Sequence, residues 1–386
     1  MGVPAPLLRG WSLVYCEPCG GTLAAMQVPA LSPPLPLPRR APRDDRYAPG
    51  AEALPSIDLR GLARRAAIPA TIAVAGAGVL LLAGKPTHAF ADALQRALHA
   101  DARWVALAAV FELLSFVGYV ALLWLVAGRA TPRMGMRESA EVTLGGAAAT
   151  RLVPTGGVGG AALTLWALRR TGLDHRGAAR TLLSFLVLLY VVFLGAIVVA
   201  GTLLALGATG SHGPLALTAV PAALAGTGIA IALALGLRHR RADAAAAVVP
   251  MPERRERFPA RLLGEAVHDA MRLVGTADPR LLGALAWWAF DAAVLWAMLD
   301  AFGAGAPLLV VVLAYFVGQA GNLIPIPGAV SGGIAGVLLA FGLDADLAIV
   351  SVLGYRAVAI WLPAPIGLAA LVSLRATLRR WAGEVG

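Results

Sequence analysis

Arg151-Leu152-Val153-Pro154-Thr155-Gly156-Gly157-Val158-Gly159-Gly160 interrupts an apolar run that otherwise extends over residues 141–168. Proline inside a helix deletes a backbone hydrogen bond and glycine weakens the helix, so the run reads as two half-helices joined by a break. Arginine flanks it on both sides, with Arg129, Arg133 and Arg137 before it and Arg169, Arg170, Arg176 and Arg180 after it. Basic residues mark the cytoplasmic ends of membrane segments. A simple crossing would leave one cluster outside, whereas a re-entrant hairpin entering and leaving from the cytoplasm satisfies both. Irregular backbone survives at membrane depth only where protein or a water-filled cavity satisfies it.

Working outward, the whole 386-residue chain reads as an integral membrane protein. It is 59% hydrophobic and 14% charged, with a mean hydropathy of +0.75. Soluble domains carry about a quarter charged residues, and a chain this apolar needs lipid as solvent for much of its surface. Apolar segments fall at about 66–84, 104–127, 141–168, 181–206, 214–237, 281–302, 307–341 and 347–372. The net charge of +10 would suggest nucleic acid in a soluble protein. Here the arginines cluster between apolar runs, where topology and anionic headgroups place them, so no nucleic-acid partner is expected.

Residues 1–60 differ in character. Their Pro/Arg-rich stretch, with Pro33-Pro34-Leu35-Pro36-Leu37-Pro38, reads as a disordered cytoplasmic tail ahead of a multi-pass domain over 61–380. Cys16-Glu17-Pro18-Cys19 is half a zinc site with no second pair nearby. His88, His99, His175, His212, His239 and His268 fall in or near loops without ligand spacing and read as solvated. No cofactor or metal is expected, and no nucleophile–base arrangement argues for an enzyme.

The second half repeats the first upside down. The basic loop 238–280 and the C-terminal Arg375, Arg379 and Arg380 read as cytoplasmic, while Gly303–Pro307 and the loop of Asp344 and Asp346 carry no basic residue and read as external. The segment 307–341 then enters and leaves from outside. Its centre is Asn322-Leu323-Ile324-Pro325-Ile326-Pro327-Gly328, followed by Ser331-Gly332-Gly333, which echoes the break at 151–160. Phe111-Glu112 and Phe290-Asp291 form a second echo. The expected fold is all-α, with about six spans and two Pro/Gly-broken re-entrant hairpins. They form an inverted-topology repeat, about 66–206 and 214–372, with both termini in the cytoplasm of the cell membrane. Paired interrupted segments point to a substrate site near the midplane.

Four ionisable residues sit inside apolar runs: Glu112, Arg151, Asp291 and Arg356. A charge at the bilayer centre costs roughly 2.5–3.5 kcal/mol on insertion scales, so each needs a partner, a cavity or a ligand. Arg151, beside Pro154, Thr155, Gly156 and Gly157, reads as an anion site, or else as a structural partner of Glu112 or Asp291. Arg356 reads the same way, with snorkelling to the interface as the alternative. Glu112 and Asp291 are proton relays or counter-ions, and the balance of two acids against two arginines favours counter-ions. Asn322 replaces Arg151 in the second break, where it hydrogen-bonds a headgroup or the freed carbonyls. The glycine spacings 156–160 and 328–332 also suit close helix packing.

The motifs Arg151-Leu-Val-Pro-Thr-Gly-Gly, Arg169-Arg170-Thr171-Gly172, Pro325-Ile-Pro-Gly with Ser331-Gly-Gly, and Tyr355-Arg356 with Pro363 are familiar as a set. In this order they resemble the flippase-like transmembrane domain of the lysylphosphatidylglycerol synthase family, over about residues 60–380. The resemblance implies a lipid transporter acting from the inner to the outer leaflet, on a phospholipid, an aminoacyl lipid or a polyprenyl-linked sugar. Family members with a soluble synthase domain make the aminoacyl lipid. This sequence stops at Gly386, so that activity is not expected here. The substrate-binding residues expected are Arg151, Pro154, Thr155, Gly156, Gly157, Asn322, Pro325, Gly328, Ser331 and Arg356. The rival readings are a membrane enzyme using Glu112 or Asp291 as base, and a non-transporting scaffold that docks a partner enzyme on loop 238–280. The topology makes a direct prediction. Cysteines introduced by Gly159→Cys and Gly332→Cys label with an impermeant thiol reagent from opposite faces of the membrane, and labelling from one face contradicts the inverted arrangement.

Overall fold

A computed structural model describes residues 100–152, 158–208, 213–246, 258–323 and 328–383, and every regular element among them is helical. Helix α1 (Ala102–Ala130) starts at Asp101, whose carboxylate accepts from the Arg103 N–H at 2.9 Å, and stops at Thr131 before Pro132. Then come α2 (Met136–Leu152), α3 (Val158–Arg170), α4 (His175–Ala205), α5 (Leu215–Ala246) and α6 (Phe258–Val274). Helix α7 (Leu282–Ala301) follows, then α8 (Leu308–Gln319), extended by a 3-10 turn over Ala320–Leu323. The chain closes with α9 (Ala329–Ala340), α10 (Ala345–Trp361) and α11 (Pro363–Gly383).

Five stretches among the described residues are long and apolar enough to cross a membrane: Ala102–Ala130, His175–Ala205, Leu215–Ala242, Pro279–Ala301 and Ala345–Trp381. The chain is therefore a multi-pass membrane protein. The expected tail 1–60 and the expected span 66–84 lie outside the described residues. Helices α8 and α9 have 12 residues each and α3 has 13. At about 1.5 Å per residue none exceeds ~20 Å, short of a hydrocarbon core of ~30 Å.

The expected segment 347–372 falls within the crossing stretch Ala345–Trp381, which turns at Leu362 where Pro363 offers no N–H to the ladder; α11 then runs on through Arg375, Arg379 and Arg380. The expected basic loop 238–280 carries helix. Helix α5 continues to Ala246, and α6 docks its apolar face, with Ala266, Val267 and Ala270 buried, against α4 and α5. Arg176 and Arg180 of α4 pair with Glu265 and Asp269 of α6, and Arg261 adds a 3.4 Å pair to Glu265. The Ser184 hydroxyl donates to the Ala266 carbonyl at 3.2 Å. His239 and His268, expected in solvent, pack ring against ring with centroids 6.0 Å apart where these helices meet. Burial opposes ionisation of Glu265. The hydrogen bond and charge of Arg176, with Arg180 and His239, outweigh it and hold the carboxyl below its ordinary value.

The broadest contact in the described structure is the antiparallel pair α1 and α7. Asp101 N–H donates to the Ala301 carbonyl at 3.1 Å at one end, and Arg129 meets Asp278 at 3.5 Å at the other. Between them Trp104 packs on Trp296, Phe111 stacks on Phe290 at 5.8 Å, and the Ser115 hydroxyl donates to the Trp287 carbonyl at 3.0 Å. Backbone meets backbone at Gly118 and Gly283: a methyl group on Gly118 would sit 2.7 Å from the Gly283 carbonyl oxygen. Only glycine permits this approach.

The paired short helices pack by the same rule. A methyl on Gly160 of α3 would lie 3.0 Å from the Gly146 carbonyl oxygen of α2, and one on Gly333 of α9 2.9 Å from Gly318 Cα of α8. Both pairs leave by the same tripeptide. Gly172-Leu173-Asp174 and Gly342-Leu343-Asp344 each place glycine at positive φ (98° and 87°) past the helix end and aspartate at the start of the next helix.

Two outcomes follow. Gly283→Ala pushes α1 and α7 apart and lowers stability in detergent by about 1–3 kcal/mol, read as a fall in thermal unfolding midpoint; an unchanged midpoint contradicts the backbone contact. Because the Glu265 value is lowered on folding, its contribution is complete above the ordinary glutamate value near ~4.3 and disappears as pH falls through the folded value. Amide exchange in α6 therefore accelerates on acidification, and Glu265→Gln brings that faster exchange to neutral pH.

Candidate functional site

Asp291 stands midway along α7, about ten residues from its C-terminal end, and is 3% exposed. Its two carboxylate oxygens are occupied by tyrosines from two other helices. Tyr315 of α8 donates to Oδ2 at 2.6 Å and Tyr355 of α10 donates to Oδ1 at 3.3 Å. Both rings are fully buried. The first distance is that of a charge-assisted O–H···O⁻ bond.

The chain of hydrogen bonds continues outward. Gln319 Nε2 donates to Tyr355 Oη at 2.9 Å, and Asn322 Nδ2 donates to Gln319 Oε1 at 2.9 Å. Gln319 closes α8, and Asn322 lies in the 3-10 turn that leads into the second break. Asn322 is exposed. Three hydrogen bonds thus join the rim of the broken segment to a buried carboxylate, across three helices, and Tyr315 adds a fourth to its other oxygen.

On the far side of the break, Gly328 sits at φ 85°, a conformation open to glycine, and starts α9. Ser331 is half-buried in the first turn of that helix, and Gly332 N–H donates to the Gly328 carbonyl at 2.7 Å. The N–H groups of such a first turn have no helical partner and point toward the break. Pro325 lies outside the described residues.

In the first hairpin Arg151 is the penultimate residue of α2, and its side chain, with Pro154, Thr155, Gly156 and Gly157, lies outside the described residues. What is described there is the neck. Thr150 Oγ1 accepts from the Gly160 N–H at 2.9 Å and donates to the Gly146 carbonyl at 2.9 Å, tying α2 to α3 just before the break. The outer end of α2 is fixed by Glu141, a buried acid that the sequence reading overlooked. It accepts from Ser373 at 2.5 Å, Thr377 at 2.8 Å and Arg137 at 3.1 Å, binding α2 to α11. The i,i+4 pair Arg137–Glu141 and the hydroxyls at 373 and 377, one turn apart, were the available signal.

Among the described residues Asp291 meets two tyrosines and no arginine, while the side chain of Arg151, one of its two expected partners, lies outside them. Tyrosine donors supply hydrogen bonds without a second charge to desolvate, which is why they suit the middle of a membrane helix. Arg356 is half-buried, next to Tyr355 in sequence, and makes no ion pair among the described residues. Glu112 is fully buried in α1, beside the Phe111–Phe290 stack. Gln319, Tyr315 and Tyr355 were not expected as site residues. Their signal was spacing, since Tyr315 and Gln319 lie one turn apart on the segment that breaks at Pro325.

Comparison with known proteins agrees with this architecture. No curated protein matches the chain. Residues 68–367, well over half of the sequence, match the family model described as the lysylphosphatidylglycerol synthase TM region. On that match, the chain belongs to the lysylphosphatidylglycerol synthase transmembrane-region family.

Proposed function

We propose that this protein moves a lipid between leaflets, holding its phosphate-bearing headgroup between two re-entrant hairpins, α2–α3 and α8–α9, with both chain termini in the cytoplasm. The observation that carries the reading is the polar chain from Asn322 to Asp291. It places hydrogen-bonding groups at the depth where apolar side chains alone would suffice for packing, and such groups inside a membrane protein mark ligand or ion pathways. The headgroup faces Arg151 and Arg356 for charge, Asn322 and Ser331 for hydrogen bonds, and the first-turn N–H groups of α3 and α9.

The inverted-topology repeat belongs to the same proposal. Three features support it: the stacking of Phe111 on its counterpart Phe290, the glycine crossing inside each hairpin, and the Gly-Leu-Asp exit that follows both. Equivalent residues touching across an antiparallel helix pair is what a two-fold axis in the membrane plane produces. Rocking one half against the other would then expose the site alternately to each side.

The test is the lipid that purifies with the protein. Mass spectrometry of wild type finds a phosphate-bearing lipid in excess over its share of the membrane. A charge-assisted hydrogen bond is worth roughly 1.5–3 kcal/mol. Arg151→Ala therefore reduces that lipid by about tenfold or more. Equal amounts in both proteins contradict the assignment.

A further inference from the structure

The three hydrogen bonds from Asn322 to Asp291 all run in one direction, and that direction has a consequence. Asn322 Nδ2 donates to Gln319 Oε1, Gln319 Nε2 donates to Tyr355 Oη, and Tyr355 donates to Asp291 Oδ1. A phenol has one proton to give, and each side-chain amide has one accepting and one donating end. The donors of the chain therefore all point toward Asp291, whose Oδ1 accepts the last of them.

We propose that this chain is a proton-operated switch that sets which end of Asn322 faces the headgroup. The inference rests on the headgroup site proposed above and names what controls it. When Asp291 accepts a proton on Oδ1, that oxygen becomes a donor to Tyr355 Oη. Tyr355 must then turn its own proton to Gln319, whose amide flips to present Oε1. Gln319 Nε2 in turn donates to Asn322, whose amide flips so that Oδ1 is engaged. No covalent bond is exchanged beyond the O–H formed on Asp291, which changes from −1 to 0. The proton comes from bulk water and returns to it when Asp291 ionises again.

The result at the rim is a change of chemistry. With Asp291 ionised, Asn322 spends an N–H on Gln319 and leaves its carbonyl oxygen free, which repels an anion. With Asp291 protonated, both N–H bonds of Asn322 Nδ2 are free to donate to a phosphate. Headgroup phosphate and proton therefore bind together. Linkage requires the effect to be reciprocal, so the anion raises proton affinity as the proton raises anion affinity.

The groups that contact Asp291 are Tyr315 from α8 and Tyr355 from α10. The other titratable groups on the packed helices are Glu112 on α1, Tyr190 on α4, and Arg356 on α10, which makes no ion pair among the described residues. The Tyr315 hydroxyl binds the other oxygen and also meets Gln319, and it stays a donor to Asp291 in both states.

Two measurements on the full-length protein in detergent test the switch. The first is infrared difference spectroscopy on acidification without lipid. Wild type gains the carbonyl band of a protonated carboxylic acid together with amide changes. Asp291→Asn lacks the acid band, and Tyr355→Phe keeps it but loses the coupled amide changes. Absence of an Asp291-dependent band, or amide changes that survive Tyr355→Phe, overturns the switch. The second is proton uptake in weakly buffered solution on adding short-chain phosphatidylglycerol, a short-chain isoprenyl phosphate, or inorganic phosphate. Wild type takes up close to one proton per ligand bound. Its affinity rises up to about tenfold per unit fall in pH, and Tyr355→Phe abolishes both effects. The ligand arm that responds distinguishes a phospholipid from a prenyl phosphate or a free anion. Binding without proton uptake overturns the switch and leaves the headgroup site standing. An infrared switch without binding of any probe overturns the headgroup site instead.

Discussion

With no side chain at Gly118 or Gly283, the backbones of α1 and α7 meet, and α2, α4, α8 and α10 pack onto that pair. Lipid offers no hydrophobic gain for bringing helices together, so packing has to come from close approach and from hydrogen bonds that leave no polar group stranded. Glycine supplies the approach. Ser115 to the Trp287 carbonyl and the Arg129–Asp278 pair supply the polar part. Stacked aromatic rings on either side of the glycines fix the register.

From that spine the two hairpins are held differently. The first is anchored near its outer end, where Glu141 gathers hydroxyls from α11, and tied at its neck through Thr150. The second is anchored through its interior, where Tyr315 and Gln319 connect α8 to α7 and α10. A bond network in the low dielectric of the membrane interior is stiff when complete and costly when half-made. The second hairpin therefore carries the hydrogen-bond network on which the proposed switch rests, and the first carries the arginine expected to attract the anion.

Much of this was legible in the sequence, for identifiable reasons. Interruptions near Pro154 and Pro325 were expected from the missing N–H, and the described helices end at Leu152 and, through the 3-10 turn, at Leu323. Apolar length separates α1, α4 and α5 from the short helices, and arginine placement suggested the orientation. What escaped the sequence depends on partners far apart in the chain. The tyrosines on Asp291 come from positions 24 and 64 residues away, and nothing local marks them as its donors. Counting charges paired the two acids with the two arginines, but a count cannot see that neutral phenols satisfy a carboxylate as well. The Gly-Leu-Asp tripeptides at 172–174 and 342–344 were readable as an internal echo, and their positive-φ glycines give the reason for it. Helix α6 was hidden by composition, since its arginines made a docked amphipathic helix look like a basic loop.

Leaflet exchange in proteoliposomes tests the central claim most directly, that two glycine-packed hairpins around a midplane site carry a lipid headgroup across. Purified full-length protein is reconstituted with a trace of labelled anionic phospholipid or prenyl phosphate, and loss of label from the outer leaflet is followed with a membrane-impermeant quencher. The account predicts exchange faster than in protein-free vesicles, slowed by Arg151→Ala. Exchange no faster than in protein-free vesicles, for any lipid drawn from the native membrane, contradicts it.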